Sequence, residues 1–268
     1  MMRFKPARML GLAAVAALTM AATPRIAIVP GITFDMVTTT HSEPMAPGSP
    51  GGLNLVTHGI ATASGASRID VATADNAQGT YAIGDYILTI DGRPVIVHPT
   101  TKTYVDITDM ANGALSKLPP QILDQLIIGN VTAKLDKLDG GDVLEGRKTD
   151  HYRTTVAYTM SMMGQEIPSV IVTDYWMAKL SVPFMNPMSG RPPATPPAGP
   201  MAELMKKQAE VQPPMTDGVV VKSMMTTTIT LGAQSQVMTM TSAMTNIKET
   251  DVDATKIALP SGYTKAEK

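Results

Sequence analysis

From Ile32 onward the chain repeats with a period of two, the period of an extended strand rather than a helix. In GTYAIGDYILTI, Tyr86, Leu88 and Ile90 fall on one face. Asp91-Gly92 follows, a strong hairpin signal because both turn positions favour positive φ. PVIV returns, HPTTK turns and TYVDI continues, so this stretch reads as a meander. The same alternation runs through ITFDMVTTTH, LVTHGIATAS and SRIDVATA. It resumes in VTAKLDKLDGG, GRKTDHYRTTVAYTMSMM, IPSVIVTDYWMAKL, DGVVVKSMMTTTITL and QVMTMTSAMTNIKE. Such a pattern predicts about eleven strands joined by short antiparallel turns. A single sheet of that width curls. Apolar residues on one face and Thr, Lys and Asp on the other suit a curled sheet with a wet outside.

Two segments break the alternation. PPQILDQLIIGN opens on prolines, closes on Gly-Asn, and sets Ile122, Leu123, Leu126 and Ile127 on one helical face. MAELMKKQAEV spaces Met201, Leu204, Met205 and Ala209 likewise. The predicted class is therefore mainly β with two or three short helices. Residues 186–200, NPMSGRPPATPPAGP, read as a proline-rich surface loop or a linker.

The first residues follow the order of a secretory leader. Arg3, Lys5 and Arg8 precede an apolar run from Met9 to Ala22, and Ala21, Ala22 and Thr23 are small. The run is about half the roughly 20 residues of a membrane-spanning helix. The expectation is a leader over 1–23, cleaved on export to the periplasm or outside, and a single domain over 24–268; an uncleaved anchor is the alternative. The leader holds three of the 22 basic residues against 23 acidic ones, which leaves the mature chain near −4. The absence of a long basic run speaks against nucleic acid as a partner. Zero cysteines remove thiolate nucleophiles, cysteine metal sites and a lipid-modified N-terminal cysteine.

Catalytic signatures are sparse. His41, His58, His98 and His151 stand at no zinc-binding spacing, and no G-x-S-x-G elbow occurs. Asp70, Asp85, Asp91 and Asp106 read as turn or outer-face residues. The expectation is no enzyme, no cofactor and no metal site of the usual ligands.

One stretch stands out. Met224 to Asn246, MMTTTITLGAQSQVMTMTSAMTN, carries five methionines and no charge. Read as a hairpin with a loop at Gly232–Ser235, it sets Leu231 opposite Gln236, Ile229 opposite Met238, Thr227 opposite Met240, Met225 opposite Ser242 and Ser223 opposite Met244. The methionines then share the apolar face, and threonines take the other. Three uses fit: ordinary core packing by a flexible side chain, a soft lining for apolar ligands, or thioether binding of copper(I). Trp176, the only tryptophan, reads as core or as the mouth of a cavity.

The succession of leader, SRIDV, DGRPVIVHPTTKTYVDI, GGDVLEGRKTDHYR, DYWMAKLSVP and ALPSGYTK resembles the LolA-like superfamily of envelope proteins, which includes periplasmic lipoprotein carriers, and is closest to exported members of that group. The resemblance implies a half-barrel of antiparallel strands whose greasy concave face is covered by helices. Pro119–Gly129 and Met201–Val211 would be those lids. Family carriers take lipoprotein acyl chains into that face and use an arginine that contacts the lid; Arg68 is the candidate here. The expected lining is Met160, Met162, Trp176, Met225, Met238, Met240 and Met244, with Leu123, Leu126 and Ile127 from a lid. The expected partner is a lipid acyl chain or another apolar molecule. The alternative is an envelope protein with a self-filled interior and a protein partner.

Overall fold

The computed structural model describes residues 27–44, 52–75, 81–90, 92–107, 125–162, 164–184, 186–187 and 201–266. The expected leader, Leu123 and nearly all of the proline-rich loop lie outside them.

Six strands form a first meander: β1 (Ile28–Glu43), β2 (Asn54–Thr62), β3 (Ser67–Asp75), β4 (Tyr86–Ile90), β5 (Arg93–His98) and β6 (Thr103–Asp106). The second comprises β7 (Ile127–Leu138), β8 (Val143–Leu144), β9 (Arg147–Met162), β10 (Gln165–Ala178), β11 (Val219–Leu231) and β12 (Gln234–Asp253). Helix α1 (Ala202–Glu210) lies between β10 and β11, and β13 (Thr264–Lys265) ends the described chain. All belong to one sheet in the order β13-β6-β5-β4-β3-β2-β1-β12-β11-β10-β9-β7, with β8 beside β9. Only β13 runs parallel to its neighbour, β6. The first and last strands of the order do not meet, so the sheet stays open. The seam between the meanders is β1 on β12, from Ile28 opposite Asp253 to Glu43 opposite Val237.

The described sheet has thirteen strands where the pattern predicted about eleven. The two-residue strands β8 and β13 are too short to show a period. Among the described residues α1 is the one α-helix, and residues 119–124 of the other predicted helix lie outside them. Helix α1 covers most of the predicted Met201–Val211, burying Leu204. The helix expected over Pro119–Gly129 is corrected at its end, since Ile127–Gly129 belong to β7. Gly129-Asn130 looked like a helix stop, but Asn130, at φ 54°, sits in a register break between Gly129 and Thr132. Helix caps and β-bulges both draw on residues that tolerate positive φ, so the dipeptide alone does not separate them.

The main core gathers Ile32, Phe34 and Met36 of β1 with Leu55, Ile69, Val71, Ile87 and Ile96 of β2 to β5. These alternate residues define the inner face. Phe34 covers Gly59 directly across the strand pair and stacks on Phe184, with ring centroids 5.3 Å apart. On the outer face of β4 and β5, Tyr86, Leu88, Val95 and Val97 make a separate cluster closed by Ile257, Leu259 and Tyr263 from the end of the chain. Arg68 belongs there. Its guanidinium lies 3.9 Å over the Tyr86 ring, pairs with Asp70 at 2.6 Å and donates to the Lys256 carbonyl at 3.2 Å. It therefore pins the C-terminal segment to the outside of the sheet and lies on the face opposite the expected lid contact.

Candidate functional site: an open methionine stripe on the inner face

The β11–β12 turn is tighter than the sequence reading had it. Leu231 pairs with Gln234, so the loop has two residues, and Gly232 takes φ 60°. Every pair moves by two positions: Met225 meets Met240, Thr227 meets Met238, and Ser223 meets Ser242. An even shift keeps each side chain on its expected face. What changes is the partner: two methionines now face each other where each was expected to face a short hydroxyl residue.

Strand pairing carries this face across the second meander in rungs. One rung runs Thr38, Ser242, Ser223, Tyr175, Tyr152, Lys137 across β1, β12, β11, β10, β9 and β7. Its members from Thr38 to Tyr152 are buried. Thr38 donates to Ser242 at 3.2 Å, the Tyr152 hydroxyl donates to Asp217, and Lys137 lies 5.1 Å over the Tyr152 ring while pairing with Asp150 at 3.3 Å. Burial raises the Tyr152 hydroxyl pKa above its usual range, and the Asp217 contact adds to this. This satisfied polar rung is the floor of the site.

The next rungs are greasier and more open. Thr40, Met240, Met225, Thr173, Thr154 and Leu135 form one; Ser42, Met238, Thr227, Ile171, Val156 and Ala133 form the next. Thr173, Thr154 and Val156 are buried, yet Met225 and Met240 are half-buried and Met238 is 38% exposed. Toward the hairpin ends Met160 pairs with Ile167 and Ile128 on this same face, and Leu231 is 51% exposed. Met244 lies the other way along β12, buried opposite Met36 in the core.

The ten expected lining residues therefore divide. Met225, Met238, Met240 and Met160 share one half-open face. Met244 shares the face but is packed away. Met162 ends β9 opposite Gln165. Leu126 is buried just before β7, whereas Ile127 opens that strand and is 62% exposed. Leu123 lies outside the described residues. Trp176 is a buried member of the main core cluster, the core use the sequence allowed; on β10 it alternates with Tyr175, which shares the face of Met225, and it pairs with Lys222.

Trp176 belongs to an arrangement the sequence reading missed. The His151 ring stacks on it at 4.4 Å and 12°, and the Lys222 ammonium lies 4.4 Å from its ring. Beside them the buried Asp174 pairs with His151 Nε2 at 2.8 Å and takes a two-pronged contact from Arg153 at 3.0 Å. A buried carboxylate needs such partners to stay charged. The signal was present: His151 and Arg153 on one strand, and Asp174 and Trp176 on the next, all follow the period of two. Every histidine has a carboxylate neighbour, His41 with Glu43 at 2.8 Å, His58 with Asp35 at 2.5 Å and His98 with Asp85 at 3.0 Å. The four pairs lie apart, and among the described residues no group of three or more His, Asp or Glu could hold a metal. No described helix is long and apolar enough to cross a membrane.

No family model and no curated protein matches this chain. Solved structures similar to it include two at 8% identity each. One is a LolA superfamily protein from Nitrosomonas europaea, with 85% of this chain and 90% of that one covered and a TM-score of 0.31. The other is a putative outer membrane lipoprotein-sorting protein domain from Vibrio parahaemolyticus, with 82% and 85% covered and a TM-score of 0.25. At such TM-scores the folds overlap loosely, and nothing about ligand or partner passes from those proteins to this chain.

Proposed function

We propose that the protein reversibly binds a lipid acyl chain or a similar apolar molecule along the methionine stripe of the inner face. The observation that supports this is the exposure gradient. Below the stripe the same strands are fully packed, while Met225, Met238 and Met240 remain partly open on one face, interleaved with Thr40, Thr173, Thr154 and Thr227. Burying one such side chain is worth about 1.5–3 kcal/mol, a gain the free protein leaves partly unrealised and a ligand collects. Methionine suits the task, because an unbranched, polarisable side chain reshapes itself around varied guests. The role is binding rather than catalysis. The expected leader fits an exported setting, in which a carrier shields an apolar molecule from water.

The test is uptake of a hydrophobic dye and of a spin-labelled fatty acid by the mature protein, compared with Met240→Lys. A lysine there sets a charge in the middle of the stripe, so uptake should fall at least about tenfold. No uptake by the unaltered protein would sink the proposal. The direct Met225–Met240 pairing also brings two thioethers together. Replacing Met225, Met238 and Met240 by leucine keeps the apolar volume and removes the sulfur ligands. Retained lipid uptake by that variant, with no copper(I) bound by the parent, assigns the stripe to grease.

A further inference from the structure

At one end of the sheet order β7 has no described strand on its outer side. None of its residues is buried. The strand is irregular at Gly129–Thr132, where Asn130 interrupts the pairing, but it runs in unbroken register with β9 from Thr132 to Leu138. The midpoint of that regular stretch is Leu135. Lys134 and Asp136 flank it, 2.8 Å apart, with side chains 70% and 34% exposed.

We propose that this edge pairs antiparallel with the β7 of a second copy of the chain, about a twofold axis at Leu135. In that register Lys134 of each copy lies opposite Asp136 of the other, and Leu135 meets its own counterpart. Thr132 then meets Leu138, so the regular stretch pairs with itself from end to end and the bulge stays outside. The charges select this register alone. Sliding the copies by two residues one way sets lysine against lysine, and the other way sets aspartate against aspartate; like charges directly opposite are destabilising. Lysines on an edge strand ordinarily discourage pairing. Here each lysine is answered by an aspartate one step across the centre, which turns a general deterrent into a choice of one partner and one alignment. Leu135 already packs against the cluster of Tyr152, Tyr175, Met177 and Val220, so the pairing carries the inner face from one copy to the next. Such a contact is isologous and closes at two copies. Its test reads the oligomeric state, which does not depend on whether the methionine stripe takes a ligand.

The experiment is sedimentation equilibrium of the mature protein, of Lys134→Asp, and of the double variant Lys134→Asp, Asp136→Lys. Circular dichroism on each checks that the surface changes leave the fold intact. The unaltered protein should dimerise. Lys134→Asp should weaken the dimer by roughly tenfold or more, because it places carboxylates opposite one another twice per interface. The swapped double variant restores Asp opposite Lys and should recover the dimer. Since the chain has no cysteine, Leu135→Cys offers a second measurement: only this register sets the new thiol against its own copy, and a disulfide-linked dimer should form on oxidation. A protein that stays monomeric throughout, or a dimer indifferent to Lys134→Asp, or a swapped variant that does not recover, overturns the proposal.

Discussion

Single residues in this sheet are held by contacts whose removal has a definite sign. Gly59 is one. A Cβ there would lie 2.1 Å from the Phe34 ring, and that ring is held by stacking on Phe184. Gly59→Ala should therefore cost about 1–3 kcal/mol, read as a lower urea midpoint with an unchanged slope. Thr89 points the other way. Its hydroxyl and that of Ser67, directly across β3 and β4, are buried without a hydrogen-bond partner. Thr89→Val keeps the shape and removes the unsatisfied group, so stability should rise by about 1 kcal/mol. A fall instead would reveal a water bridging the two hydroxyls. Asp35 sets a pH dependence. The Asn246 side-chain amide, and after it His58, hold its carboxyl below the ordinary 3.8. A carboxyl lowered on folding stabilises the fold above its unfolded value, and that contribution is lost as pH falls through the lowered folded value. Asp35→Asn should be less stable at neutral pH, with the difference closing in acid, as urea titrations at several pH values would show.

At the scale of elements, Arg68 is one tie of the C-terminal segment, beside the β13–β6 pairing and the packing of Ile257, Leu259 and Tyr263. The Arg68 side chain links the outer cluster of Tyr86 and Leu88 to the carbonyl of Lys256. Arg68→Ala should leave the sheet folded but loosen residues 254–266. Amide exchange there should quicken severalfold while β1 and β12 keep their protection. The element scale is also where the sequence was most and least legible. Period-two runs located the long strands, and α1 was visible from Met201, Leu204 and Met205. The end of the other predicted helix was misplaced, because Gly129-Asn130 suits a helix stop and a bulge equally. The methionine hairpin kept its faces but not its partners. Turn length between two threonine- and methionine-rich strands is chosen by which pairs pack best, and that depends on β1 and β10 on either side.

The whole molecule is two meanders joined by one long seam. Met36 opposite Met244 and Thr38 opposite Ser242 bring together residues more than 200 positions apart, and no local signal announces such a contact. Because each meander has the other as its neighbour at β1 and β12, unfolding should be a single event. Fluorescence of Trp176, which reports on β10, and far-ultraviolet circular dichroism, which reports on all strands, should trace superimposable urea transitions. A separate earlier transition in either probe would show that the meanders are independent.

What the sequence determined by itself is what local physics controls: strands rather than helices, which side chains share a face, the absence of thiol chemistry, and a set of methionines on the apolar side. Alternation depends only on the geometry of an extended backbone, so it survives ignorance of the fold. What only the tertiary structure decided is who stands beside whom. It set Met225 against Met240, buried Met244 in the core, stacked Trp176 on His151, placed Arg68 outside, and left Met238 open. Each of those outcomes depends on register and on strands distant in sequence, whose pairing energies are comparable for several alignments until the whole sheet is assembled.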